Sequence, residues 1–148
     1  MTIRRTPLNA ARDSVRYKAR ARSTKSQSQG FSRETRALIR ARSGGICEIG
    51  DCIDQAVHMH HRRPRGIGGT SLAWVNGTAN ALHTCLEHHA FIESHRTLAF
   101  VQGWLISQHR TDAIAADIPV QRRGKSVLLS DDGGIRRIGG EEASDGAR

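Results

Sequence analysis

The sequence predicts a small α+β domain that owes its stability to a bound metal, and three observations lead there. The chain has 148 residues, room for one compact domain. Hydrophobic residues make up 37% and glycines number 15, ordinary for a folded chain, yet aromatic residues are only 4%, so so small a core needs a staple. All three cysteines fall with six of the eight histidines between residues 47 and 89, among short strand and helix signals. An odd number of cysteines at these spacings does not suit a disulfide framework, and metal binding explains them better.

Residues 1–29 are rich in Arg, Lys, Ser and Gln without hydrophobic periodicity and read as a basic, disordered arm. The folded domain is expected over 30–138, with its core at 45–95, and 139–148 as a polar disordered tail. A first helix follows Phe31, with Ser32 as its N-cap, Leu38 and Ile39 facing the core, and Gly44 or Gly45 closing it in the left-handed conformation. Cys47 and Cys52 bracket a turn at Gly50 and Asp51, and a strand is expected from Gln55 to His61. Pro64, Gly66, Gly68, Gly69 and Gly77 mark Arg63 to Ala79 as an irregular loop, long enough to suggest a functional one. Asn80 to Thr84 reads as a returning strand, then Cys85 to Ser94 as a helix packing Ala90, Phe91 and Ile92. Arg96 to Gln102 reads as a further helix ended by Gly103. Trp104–Ile106, Ile118–Val120 and Val127–Leu129 read as short strands, with a C-terminal hairpin and a turn at Asp131 to Gly134.

The net charge of +9 is concentrated at one end. Residues 1–42 hold twelve Lys or Arg against Asp13 and Glu34, whereas the rest of the chain is nearly balanced. Such an arm attracts polyanions, nucleic acid above all, although a solvated tail that only aids solubility has the same composition. No run of 18 apolar residues occurs, and no hydrophobic segment follows the N-terminal charges. Membrane insertion and export are therefore not expected, and the cytosol is the expected compartment.

Cys47-x4-Cys52 with Cys85-x2-His88 supplies three sulfurs and one imidazole, the ligand set of a closed tetrahedral zinc site that folds a domain without doing chemistry. Adjacent helical residues point about 100° apart, so either His88 or His89 serves this site while the other faces elsewhere; the Cys-x2 spacing favours His88.

A second constellation surrounds it. His60-His61-Arg62-Arg63-Pro64-Arg65-Gly66-Ile67-Gly68-Gly69, followed by Asn80-Ala81-Leu82 and Cys85-x2-His88-His89, resembles the HNH endonucleases, especially the small zinc-stapled kind of phages and prophages encoded beside DNA-packaging genes. The resemblance runs from about Phe31 to Ile135. It departs from the family at the Cys-x4-Cys pair, where Cys-x2-Cys is usual, at His88, where a fourth cysteine is usual, and at His60, where Asp is frequent. It implies a ββα-metal (His-Me finger) core, a DNA substrate cut to 5′-phosphate and 3′-hydroxyl ends, and terminase subunits as partners in a bacterial host.

The residue chemistry fits what the resemblance implies. Phosphodiester hydrolysis needs a cation on the phosphate and a base on the water. His60 and His89 would hold one divalent ion (Mg²⁺, Mn²⁺, Ni²⁺ or Zn²⁺), with Glu93, one helical turn after His89, as a third or water-mediated ligand. His61 would be the general base, and Asn80 would tie the hairpin loop and orient that base. Arg62, Arg63 and Arg65, beside the base, are candidates for gripping phosphates. His58 and His83 read as packing or supporting residues. The competing reading is a zinc-stapled DNA-binding module without catalysis, which would have no use for His61.

Overall fold

The computed structural model describes residues 30–138, so the expectations for the basic arm and the polar tail lie outside the described residues. These residues form a small α+β protein with three helices and two small sheets.

Helix α1 (Arg33–Ser43) starts where Ser32 Oγ accepts from the Thr35 amide and stops at Gly44, which is left-handed (φ 64°) and returns its N–H to the Arg40 carbonyl. Ile39 is buried, as expected, but Leu38 is exposed, because only one stripe of the helix meets the sheet. Strands β1 (His58–His61) and β2 (Ala81–Thr84) form an antiparallel hairpin that pairs His60 with Leu82 and His61 with Ala81. β1 is shorter than Gln55 to His61, and Asn80 ends a 3₁₀ turn rather than beginning β2. Helices α2 (Leu86–Ser94) and α3 (Arg96–Val101) follow, with Cys85 capping α2 through its sulfur.

The alternation of a strand divides the hairpin's side chains between two faces. Ala81 and Met59 join Phe31 and Ile39 in a small cluster beneath α1. Leu82 belongs to the larger core with Ile49, Ile92, Leu105, Val120 and Leu129. α2 packs on the hairpin with Ile92 buried, whereas Ala90 is exposed against expectation.

The C-terminal region is a three-stranded meander, β3 (Val120–Arg122), β4 (Lys125–Leu129) and β5 (Ile135–Arg137), rather than a hairpin. Ile118 ends a 3₁₀ turn before β3, and Trp104–Ile106 is a buried bend, not a strand. That bend follows Gly103 (φ 71°), where a Cβ would meet the Pro119 carbonyl oxygen.

A buried carboxylate held between two arginines locks the sheets together. Glu48 accepts from Arg42 Nε and Nη2 (2.9 and 2.8 Å), from Arg122 Nε (2.7 Å) and from the His83 amide (2.8 Å). Burial alone would raise its carboxyl, but the Arg42 charge and these bonds hold it below the usual value.

Candidate metal centre and histidine cleft

The turn after α1 and the start of α2 bring the three cysteines and His88 together. Cys52 Sγ lies 3.9 Å from Cys85 Sγ, and His88 Nδ1 is 3.6 Å from Cys47 Sγ and 3.3 Å from Cys85 Sγ. All four ligand atoms lie within 4.8 Å of one another. Ligands about 2.3 Å (S) and about 2.0 Å (N) from a tetrahedral ion stand roughly 3.5 to 3.8 Å apart, so the spacing fits a zinc-sized cation. The set could hold a structural metal ion, and the fourth ligand atom is supplied by His88 rather than His89. Burial, then the neighbouring thiol of Cys85, raises the Cys47 thiol, and the Cys52 thiol is pushed up to about 12. A bound cation supplies the positive charge that favours the thiolates.

His89, next on the helix, faces a different place. Its ring stacks on His58 (centroids 4.8 Å apart) and meets the edge of His60 (5.5 Å). His60, His61, Arg65, His89 and Glu93 line one open cleft of about 410 Å³ at the end of the hairpin. His60 Nε2 bonds the Trp104 carbonyl (3.2 Å), which puts the proton on Nε2 and leaves the Nδ1 lone pair toward Glu93, whose Oε1 is 3.9 Å away. Burial first, then the His89 charge, depresses its pKa to about 4, so His60 is neutral near pH 7. Glu93 also pairs with Arg96 at 3.2 Å. Among the described residues, His60, His89 and Glu93 do not form a ligand cluster as closed as the cysteine set.

His61 points to the opposite face of β1. Phe31 stacks on its ring, centroids 3.9 Å apart and planes 11° from parallel. Its Nε2 faces Asn76 Oδ1 at 3.2 Å; an amide oxygen only accepts, so the proton sits on Nε2 and Nδ1 is the basic nitrogen. Burial lowers the His61 pKa, the Asn76 bond raises it, and the charges of Arg65 and Arg36 lower it again, for a net fall.

Asn80 is fully buried and pins the long loop at both ends. Its Oδ1 accepts from the Arg63 amide (2.8 Å), and its Nδ2 donates to the carbonyls of Arg63 (3.1 Å) and Val75 (2.8 Å). Its hold on His61 runs through that loop, which carries Asn76.

Two expectations need correction. Arg62 does not face solvent: it is fully buried, and its guanidinium donates to the carbonyls of Gly103, Ala79, Ala115, Ile118 and Pro119. Alternation along the chain turns it inward beside His61, and five carbonyl dipoles compensate its charge in place of a phosphate. Burial, then the charge of Arg42, lowers its pKa to about 9, which leaves it charged at neutral pH. Arg63 is also buried, donating to the Gln108 carbonyl (2.6 Å) with its guanidinium carbon 5.5 Å from the Trp74 ring centre. Of the three arginines only Arg65 lines the cleft.

His83, read as packing, is buried with Nδ1 2.7 Å from Ser43 Oγ. Asn76, Phe31 and the Trp104 carbonyl were missed by sequence reasoning. The Asn76-Gly77 pair marks a turn, the one signal that could have singled out Asn76.

Neither a family model, nor a curated protein, nor a solved structure matches this chain. No helix among the described residues is long and apolar enough to cross a membrane.

Proposed function

We propose that the chain is a metal-dependent DNA endonuclease with a ββα-metal core of the HNH kind. The observation that carries this reading is the single cleft in which His60, His61, His89 and Glu93 meet Arg65, with the tautomers of His60 and His61 each fixed by a neighbouring oxygen. A site for packing alone has no need of two neutral imidazoles with lone pairs held ready.

His60 Nδ1 and His89, with Glu93 near, would hold the catalytic ion, and neutral imidazole with carboxylate suits a divalent cation. When bound, that ion supplies a positive charge for a non-bridging phosphate oxygen and for the leaving 3′ oxygen. His61 Nδ1 takes the proton of the attacking water, and Arg65 grips the phosphate. Asn80 keeps the loop, and with it Asn76, in register with His61. The reaction leaves 5′-phosphate and 3′-hydroxyl ends. The cysteine set staples the fold, DNA is the substrate, and terminase subunits are the proposed partners.

Conversion of supercoiled plasmid by the zinc-loaded protein, with Mg²⁺, Mn²⁺ or Ni²⁺ added, tests this reading beside His61→Ala and an EDTA control. Metal-dependent nicking that disappears in the variant is expected. Equal inactivity of both proteins, with both still shifting DNA on a gel, would favour a zinc-stapled binding module instead.

A further inference from the structure

Met59 lines two cavities. On one side is the histidine cleft; on the other is a cavity of about 270 Å³ bounded by Arg36, Arg40, Gln55, Val57 and His83. Arg36 and Arg40 stand one helical turn apart on α1, share a face, and are exposed. Among the described residues neither forms an ion pair, whereas Arg42, Arg96, Arg110 and Arg122 are all paired with carboxylates. Their charge is therefore available to a ligand. Arg36 is also oriented: its Nε donates to the Phe31 carbonyl (3.0 Å), and Phe31 stacks on His61.

We infer that this second cavity is the track for the sugar-phosphate backbone of the nucleic acid strand entering the histidine cleft, with Arg36 and Arg40 each neutralising a phosphate. The inference rests on the nuclease reading and extends it. A strand whose scissile phosphate lies beside His61 must continue past the cleft, and the cationic wall that shares Met59 with it is this one. One turn of helix separates the two guanidinium stems by about 6 Å of axial rise. A DNA strand carries a phosphate every 3.4 Å or so of axis, and guanidinium grips phosphate bidentately. An acidic peptide would satisfy the charges but has no reason to lead to a base and two ligand histidines.

The test is duplex binding by the full, zinc-loaded chain, read as anisotropy of a labelled oligonucleotide across a salt series. Each phosphate contact contributes about 0.9 to the slope of log K against log salt, so Arg36→Gln/Arg40→Gln should reduce that slope by about 1.8. Arg36→Lys/Arg40→Lys keeps both charges and should keep the slope, which separates lost charge from a loosened Phe31. Arg136→Gln/Arg137→Gln removes two exposed charges from β5 and should leave the slope intact. An unchanged slope in the Gln pair, an equal loss in the β5 pair, or displacement of the duplex by polyglutamate as readily as by unlabelled duplex would each overturn the inference. If no protein cleaves plasmid while the α1 Gln pair alone loses slope, the track stands and the nuclease reading falls. Cleavage with an unaltered slope in that pair overturns the track alone.

Discussion

Asn76 and His61, fifteen residues apart in sequence, meet at 3.2 Å through the amide oxygen of one and Nε2 of the other. The bond fixes which imidazole nitrogen is basic. Asn76→Ala is expected to lower kcat about 10- to 100-fold, the usual cost of losing a partner that orients a working histidine, with metal content unchanged. Because burial holds the His61 pKa below 6.5, the acid limb of the wild-type rate profile should lie below pH 6.5. A carboxylate in place of the amide favours imidazolium, so Asn76→Asp should move that limb upward. A limb that stays in place would mean that His61 is not the base.

The cysteine set should bind one zinc ion and govern folding. Cys85→Ser removes a sulfur ligand while leaving α2 a capping hydroxyl, and should abolish cooperative unfolding, since structural zinc contributes on the order of 10 kcal/mol to small domains. His89→Ala should retain the zinc, because His88 is the residue beside the sulfurs. Elemental analysis of both variants decides the assignment, and zinc loss from His89→Ala would reverse it.

Arg62 and Arg65 should separate cleanly. Arg62→Ala leaves five backbone carbonyls without their donor in the core, a loss expected to exceed 3 kcal/mol in denaturant unfolding, at the level of a broken buried network. Arg65→Ala should cost less stability than Arg62→Ala and weaken DNA binding instead. A soluble Arg62→Ala of normal stability would show that its burial is not needed.

Stability should fall as the solution is acidified below pH 6.5. An unfolded histidine takes a proton near 6.5, but buried His60 resists until about 4. Its contribution is complete above 6.5 and is lost as pH falls between those values, on the order of 3 kcal/mol in all. Glu48 acts lower: its carboxyl is depressed, so the stability it brings is present above 4.5 and lost as pH falls below that. With zinc saturating, melts of wild type and His60→Asn should converge as pH falls from 6.5 to 4. A constant gap between them would remove His60 from this account.

Much of the framework is legible in the sequence. Ser32 and Gly44 bound α1 because a hydroxyl at an N-cap and a left-handed glycine are local devices, and the Cys-x4-Cys and Cys-x2-His pairs named the four residues that stand close enough together to hold a metal ion. Local spacing carries such information because the interacting groups lie within a few residues of one another. It misjudged Trp104–Ile106, whose apolar run is buried as a bend, and Leu38 and Ala90, whose exposure depends on which stripe of a helix finds a neighbour.

The sequence by itself determined the kinds of chemistry available: a cysteine set able to hold a metal ion, a crowd of imidazoles, and cations near them. Only the tertiary structure decided how these were divided. Strand alternation sent His60 toward α2 and His61 toward Phe31, helix geometry gave His88 to the cysteines and His89 to the cleft, and packing turned Arg62 into the core. Adjacent residues with the same side chain are equivalent in sequence, and they become different only when distant backbone such as Trp104 and Gly103 supplies their hydrogen bonds.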